Sequence, residues 1–278
     1  MDTLLSKKQF VNMETFQNKV VWITGASSGI GEAIALAFAK EGAKLVLTSR
    51  RQEELHRVKQ LTGLPDASVL ILPMDVTDFD KAKPAAELII TTFGRIDVMV
   101  HNAGVSQRSY IIDTDLDVYR KLMDVDFYST VAITKAVLPY MIKQQSGHFI
   151  VISSVAGKIG TIMRSGYNAA KHALHGFYDS LRAEGYKDNI KVTTVCPGYI
   201  RTNISVNALN ESGSKFGKMD SNQANGIPAE ECARQILNAV KKDKKEIYIG
   251  GLKEVAAIYL KRFLPNLLFD QVRKNIPE

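Results

Sequence analysis

Cysteine is nearly absent: the 278 residues contain two, Cys196 and Cys232. Two thiols are too few for a disulfide framework, which points to a reducing compartment. Long apolar runs are missing too, none approaching the roughly 20 residues that span a bilayer. There is no collagen-like or low-complexity bias. With 45% hydrophobic and 23% charged residues, the chain is too apolar and too evenly mixed to be disordered. Residues 1–18 carry Lys7, Lys8 and Glu14 and lack the apolar core of a secretory signal, so they read as an exposed arm. Cytoplasm is the default location.

The length suits one large α/β domain with a sizeable core. Net charge is +7, and the last 38 residues hold nine Lys/Arg against five acids. A basic tail can serve nucleic acid or an anionic membrane surface, but a solvated surface explains it as well. Nucleic acid is not expected as a partner, because the tail lacks interleaved aromatic platforms and any recognised motif.

From Lys19 onward, short Val/Ile-rich runs alternate with longer stretches of helical period. The strand-like runs are 19–24, 43–48, 68–73, 96–101, 147–153, 191–196 and 246–249. Little polar alternation interrupts them, as in strands buried on both faces of a parallel sheet. Helical stretches fall at 30–41, 51–62, 79–93, 116–144, 167–186 and 229–241. Strict alternation predicts a single doubly wound, Rossmann-like α/β domain: a seven-stranded, mostly parallel sheet with helices on both faces. Residues 203–226 break the rhythm with Ser, Asn and Gly, and read as a lid, with a disordered insertion as the alternative. Residues 251–278 form an apolar, basic extension in which Pro265 should kink or break the helix. That segment reads as a docked core helix, a dimer contact or a peripheral membrane contact.

The run Thr24-Gly25-Ala26-Ser27-Ser28-Gly29-Ile30-Gly31 follows the first strand and opens the first helix. Glycines there let the backbone approach a pyrophosphate, and the helix N-terminus offers it free amides and a positive dipole end. Residues 19–250 therefore read as a dinucleotide-binding and catalytic domain. At the end of the second strand an acid would favour NAD. Here Ser49 stands in that place, followed by Arg50 and Arg51, whose guanidinium forks suit a 2′-phosphate; NADP(H) is the expected cofactor. The alternative is that both arginines merely begin a solvated helix.

Of ten tyrosines, only Tyr167 has a lysine, Lys171, four residues later. On a helix those two positions lie on one face. Phenols ionise near pH 10, and a fixed positive charge favours the phenolate, as acid–base chemistry at neutral pH requires. Ser154, thirteen residues before Tyr167 at a strand end, could hydrogen-bond a carbonyl or alcohol oxygen.

At these residues the chain resembles the short-chain dehydrogenase/reductase family. The resemblance rests on Thr24 to Gly31, Asp75-Val76, Asn102-Ala103-Gly104, Ser154, Tyr167 to Lys171, and Pro197-Gly198 with Thr202. The run SSVAGK at 153–158 and the apolar extension look like the branch containing 11β-hydroxysteroid dehydrogenases and their relatives of uncertain substrate. The resemblance implies Tyr167 as proton donor or base, Lys171 as its partner and holder of the nicotinamide ribose, and Ser154 as polariser of the carbonyl. It implies cofactor contacts from Gly25, Ser27, Ser28, Gly29, Ile30 and Gly31, then Asp75 and Val76. Asn102, Ala103 and Gly104 would line the cleft, and Pro197, Gly198, Ile200 and Thr202 would meet the nicotinamide. The hydride belongs to the cofactor, so the protein supplies position and proton traffic. The resemblance further implies a homodimer or homotetramer through the helices 116–144 and 167–186, with burial inside the monomer as the alternative.

Two positions depart from the family pattern. His101 replaces an asparagine at a strand end and reads as structural. Asp126 stands where the family places an asparagine of the proton relay, and an ionised carboxylate only accepts hydrogen bonds. Three readings follow: activity kept, a shifted pH optimum through protonation or pairing with Lys171, or a binder with little catalysis. The expectation is an NADP(H)-dependent oxidoreductase interconverting a carbonyl and a secondary alcohol on an apolar small molecule; the alternative is an NADP-binding sensing or scaffold module. No metal site is expected. His172 and His175 share spacing, but no neighbouring Cys or acid pattern completes one, and Cys196 reads as a buried core residue.

Overall fold

The computed structural model describes residues 15–274. Most of the arm read at 1–18 and the last four residues of the extension lie outside the described residues. The strands are β1 (Val20–Thr24), β2 (Lys44–Ser49), β3 (Val69–Pro73), β4 (Val98–His101), β5 (Gly147–Ile152), β6 (Ile190–Pro197), β7 (Ile200–Arg201), β8 (Ile227–Pro228) and β9 (Glu246–Ile249). The helices are α1 (Gly29–Lys40), α2 (Gln52–Thr62), α3 (Ala82–Phe93), α4 (Leu116–Met123), α5 (Ser129–Gln144), α6 (Ser165–Glu184), α7 (Ser221–Ala224), α8 (Ala229–Lys241), α9 (Leu252–Phe263) and α10 (Pro265–Val272).

Seven strands form one parallel sheet in the order β3-β2-β1-β4-β5-β6-β9. The seven strand-like runs of the sequence become these seven strands, with ends shifted by two residues or fewer. Side chains of β1 alternate between two cores: Val21 and Ile23 pack toward α1, α2 and α8, Val20 and Trp22 toward α3, α5 and α6. Both faces are dry, so the strand needs apolar residues at every position, which explains the missing polar alternation. Trp22 satisfies its buried Nε1–H on Thr48 Oγ1 at 2.8 Å. β1 lies between β2 and β4, so the chain winds outward from it in both directions. A crevice opens at that reversal, beyond the carboxyl ends of the strands.

The structure sharpens the sequence reading at several points. The helix expected over 116–144 is continuous in space but carries a π-helical turn, Asp124–Tyr128, between α4 and α5. The segment 203–226 is ordered, tied by hydrogen bonds from Leu209 N to Ser106 O and from Arg108 N to Leu209 O, both 2.8 Å. The two-residue strands β7 and β8 pair at its base, a contact too short to leave a periodic signal. The extension docks: Ile258 and Leu268 are buried against Val155 and Ile159. Helix α9 ends before Leu264, and Pro265 starts α10 at a position where its missing amide hydrogen costs nothing.

Candidate active site

The turn after β1 is fastened from the next strand of the sheet. Thr24 Oγ1 accepts the amides of Asn102 (3.1 Å) and Ala103 (3.2 Å), and Asn102 Nδ2 donates to Thr24 O and Gly25 O. Gly25 sits at φ +66°, which an L side chain rarely adopts. Beyond it α1 begins at Gly29; Ser28 before it makes no side-chain cap, and Ser28, Gly29 and Ile30 line the crevice.

Nearly all the residues singled out from the sequence line a single cleft of about 1630 Å³. Gly25, Ser27 to Ile30, Arg50, Arg51, Asp75, Val76, Asn102 to Gly104, Ser154, Tyr167, Lys171, Pro197, Gly198, Ile200 and Thr202 are all on its wall. Gly31 and Asp126 are one layer behind. A Cβ on Gly31 would collide with Gly25 O, so that glycine serves close packing under the turn. At the β2 end of the cleft, Arg51 Nη2 donates to Ser27 Oγ (3.0 Å) and Ser28 Oγ (3.2 Å), while Arg50 is exposed, 3.9 Å from Asp75.

Tyr167 and Lys171 project from one face of α6, with Lys171 Nζ 5.6 Å from the Tyr167 ring centroid. Both are buried. Lys171 Nζ donates to Ile152 O at 3.1 Å and lies 3.5 Å from Asp126 Oδ1. Ser154 ends the crevice side of β5; its Oγ accepts the Ala156 amide and donates to Pro197 O at 3.3 Å, a long bond that an incoming acceptor can replace.

Asp126 is fully buried in the π-helical turn, a distortion that recurs at functional sites. Its Oδ1 accepts the Val105 amide at 3.0 Å, and its Oδ2 finds no partner among the described residues. Burial pushes its carboxyl up to about 6, against the pull of Lys171 and of the Val105 amide. Gly104 makes this arrangement possible: a Cβ there would stand 2.5 Å from Asp126 Oδ1 and 3.3 Å from Lys171 Nζ.

The other candidates separate clearly. His101 is in the core, bonded to Thr134 Oγ1 at 3.0 Å and stacked on Phe149; burial lowers its pKa to about 3, so it is neutral. His172 bonds Asn168 O. For His175 the sequence reading needs correction, because strand pairing brings Cys196 and Glu246 to it, with ligand atoms within 4.8 Å of one another. These residues are distant in sequence, so spacing gave no sign of the cluster. Lys158 Nζ, 2.8 Å from Glu246, already supplies a cation there.

Sequence reading missed one group altogether. Arg108, in the segment after β4, and Arg164, at the start of α6, converge on Asp220 of the lid, and all three line the cleft. Nothing in a single arginine or aspartate announces such a meeting across more than a hundred residues.

Residues 19–212 match the short chain dehydrogenase family. The chain is 41% identical over 277 residues to the dehydrogenase/reductase SDR family protein 7-like of Anopheles gambiae, covering 98% of this chain and 87% of that one. It is 42% identical over 257 residues to mouse dehydrogenase/reductase SDR family member 7B, covering 91% and 80%. These relatives bear out the family, and their names do not single out the narrower 11β-hydroxysteroid dehydrogenase-related branch suggested by SSVAGK and the apolar tail. Among solved structures, a short-chain dehydrogenase from Streptomyces avermitilis superposes with a TM-score of 0.76 at 29% identity, covering 91% of this chain and 95% of that one. One from Burkholderia phymatum, in complex with NAD, superposes at 0.82 with 23% identity, covering 92% and 96%. No helix among the described residues is long and apolar enough to cross a membrane. Glycine turn, Tyr167–Lys171 pair and match all agree: the chain belongs to the short-chain dehydrogenase/reductase family of oxidoreductases.

Proposed function

We propose that the protein is an NADP(H)-dependent oxidoreductase interconverting a carbonyl and a secondary alcohol on an apolar small molecule. The observation that carries this reading is the convergence of Tyr167, Lys171 and Ser154 on one cleft that also holds the glycine turn. The residues present fit a nicotinamide dinucleotide. The cleft holds about 1630 Å³, Gly25 and Gly31 remove side chains where backbone must approach, and the uncapped start of α1 lines it. Support for NADP(H) comes from Arg51, held over Ser27 and Ser28, and from the absence of an acid at the end of β2.

When bound, the dinucleotide supplies or accepts the hydride. Tyr167 gives its phenolic proton to the substrate oxygen in reduction and takes it back in oxidation. Ser154 turns its hydroxyl from Pro197 O to that oxygen and holds it in place. Lys171 keeps a positive charge beside the phenol ring. Asp126, behind Lys171, partly offsets that charge whenever it is ionised. Val155, Ile159, Leu209, Leu260 and Leu268 give the substrate end of the cleft an apolar wall.

The same reading includes a homodimer or homotetramer contact through the helices at 116–144 and 167–186, where Leu116, Tyr128 and Ile142 stay exposed. Phe263, Leu267 and Phe269, exposed on α9 and α10 beside Lys261 and Arg262, support a peripheral membrane contact in an otherwise cytoplasmic protein. The test of function is NADPH consumption with a panel of ketones, aldehydes, retinoids and steroids, beside Tyr167→Phe and an NADH control. Turnover that prefers NADPH and falls at least a hundredfold in Tyr167→Phe is the expected result. NADPH binding without turnover on any substrate would instead establish the sensing module.

A further inference from the structure

We infer that the substrate carries an anionic oxygen group, a carboxylate or a phosphate, on its apolar body, and that Arg164 holds it. The inference deepens the function proposed above and rests on it for the reacting carbonyl. It starts from an imbalance of buried charge. The Arg108 and Arg164 side chains are 2% and 15% exposed, and the single carboxylate between them, Asp220, is 7% exposed. Asp220 is already committed elsewhere. Its Oδ1 accepts the amides of Asn222 and Gln223, and its Oδ2 takes Arg108 Nη2 at 2.5 Å. Arg164 reaches that same Oδ2 only at 3.5 Å, and its buried Nε finds no acceptor among the described residues.

Two guanidiniums on one carboxylate leave a net positive charge on largely buried side chains, and buried charges are ordinarily paired. The pair also repel each other: burial first, then Arg164, depresses the pKa of Arg108. Lys121, Lys215 and Lys218 add cations around this end of the cleft. An oxyanion in the cleft beside Arg164 would accept from the exposed edge of its guanidinium in a charge-assisted bond and neutralise the excess.

The location places the anion relative to the chemistry. Arg164 is one helical turn before Tyr167 at the start of α6, and its guanidinium lies 5.7 Å from the ring of Tyr199, next to Gly198. The Gly166 amide donates to Gln107 Oε1 at 2.8 Å, so the segment carrying Arg108 is bolted to the same helix end. Arg51, by contrast, sits at the β2 end with Ser27 and Ser28, where it meets the dinucleotide.

Calorimetry on the dinucleotide-loaded protein tests this without turnover, using decanoate, decyl phosphate and methyl decanoate as probes. At least one of the two anions is expected to bind tenfold or more tighter than the ester, and which one does identifies the group. That advantage should shrink to threefold or less in Arg164→Met, with Arg164→Gln as the second variant and thermal unfolding as the check on folding. An ester that binds as tightly as both anions overturns the inference, as does an advantage that survives in a folded variant. Turnover of neutral ketones with no anion preference sinks the anion subsite alone; anion binding without any turnover sinks the enzyme reading instead.

Discussion

Replacing Asp126 by asparagine keeps the side chain's size and removes one buried carboxylate next to Lys171. Asp126 Oδ1 is 3.5 Å from Lys171 Nζ, which is 5.6 Å from the Tyr167 ring centroid, so carboxylate and ring are at most about 9 Å apart. At an effective dielectric of about 20, charges that far apart repel by about 1.8 kcal/mol, roughly twentyfold in the phenolate population. With its pKa near 6, Asp126 opposes the phenolate only above that pH. Oxidation of an alcohol needs the phenolate as base. Asp126→Asn is therefore expected to oxidise about as fast as wild type at pH 5, to draw ahead through pH 6, and to be roughly twentyfold faster at pH 8.

The same titration acts on stability. A carboxyl ionises near 3.9 in the unfolded chain and near 6 at Asp126, so the wild type loses stability as pH rises from 4 through 6. The difference corresponds to about 3 kcal/mol. Asp126→Asn should melt several degrees higher at pH 8 and no higher at pH 4. A rate ratio that does not change with pH refutes the electrostatic account. Loss of activity at every pH, in a variant that folds and binds dinucleotide, shows that the carboxylate accepts a proton itself.

Two further substitutions probe the cofactor end. Ser49→Asp combined with Arg51→Leu puts a carboxylate at the end of β2 and removes the guanidinium over Ser27 and Ser28; the NADPH-to-NADH ratio of kcat/KM should fall at least tenfold, and an unchanged ratio would remove Arg51 from the cofactor site. Gly31→Ala forces a methyl against Gly25 O and Asn102 Nδ2, so the turn must open; dinucleotide affinity, followed by NADPH fluorescence, should drop tenfold or more, and wild-type affinity would show that the turn tolerates the shift.

Much of the fold is legible in the sequence because both faces of the sheet are buried. Each strand is then a solid apolar run, and each crossover helix is bounded by turns. Local chemistry made the glycine turn and the Tyr167–Lys171 pair readable, since their function depends on spacing within one element. The illegible features depend on tertiary meetings. Arg108, Arg164 and Asp220 come from a loop, a helix start and the lid. His175, Cys196 and Glu246 meet because β6 pairs with β9 and packs against α6.

The π-helical turn joins both kinds of reading. Periodicity saw one helix over 116–144 and was right about its path, but one widened turn changes which side chain faces inward at its centre. The residue turned in is Asp126, a carboxylate that an apolar interior disfavours, and it is tolerated through three neighbours. Val105 donates its amide, Lys171 offers a countercharge, and Gly104 leaves the room a methyl would take. Local rules fail most visibly where this π-helical turn puts a titratable group behind Tyr167 and Lys171. A rate gain of Asp126→Asn confined to pH above 6 would make Asp126 a brake on the phenolate, released by protonation.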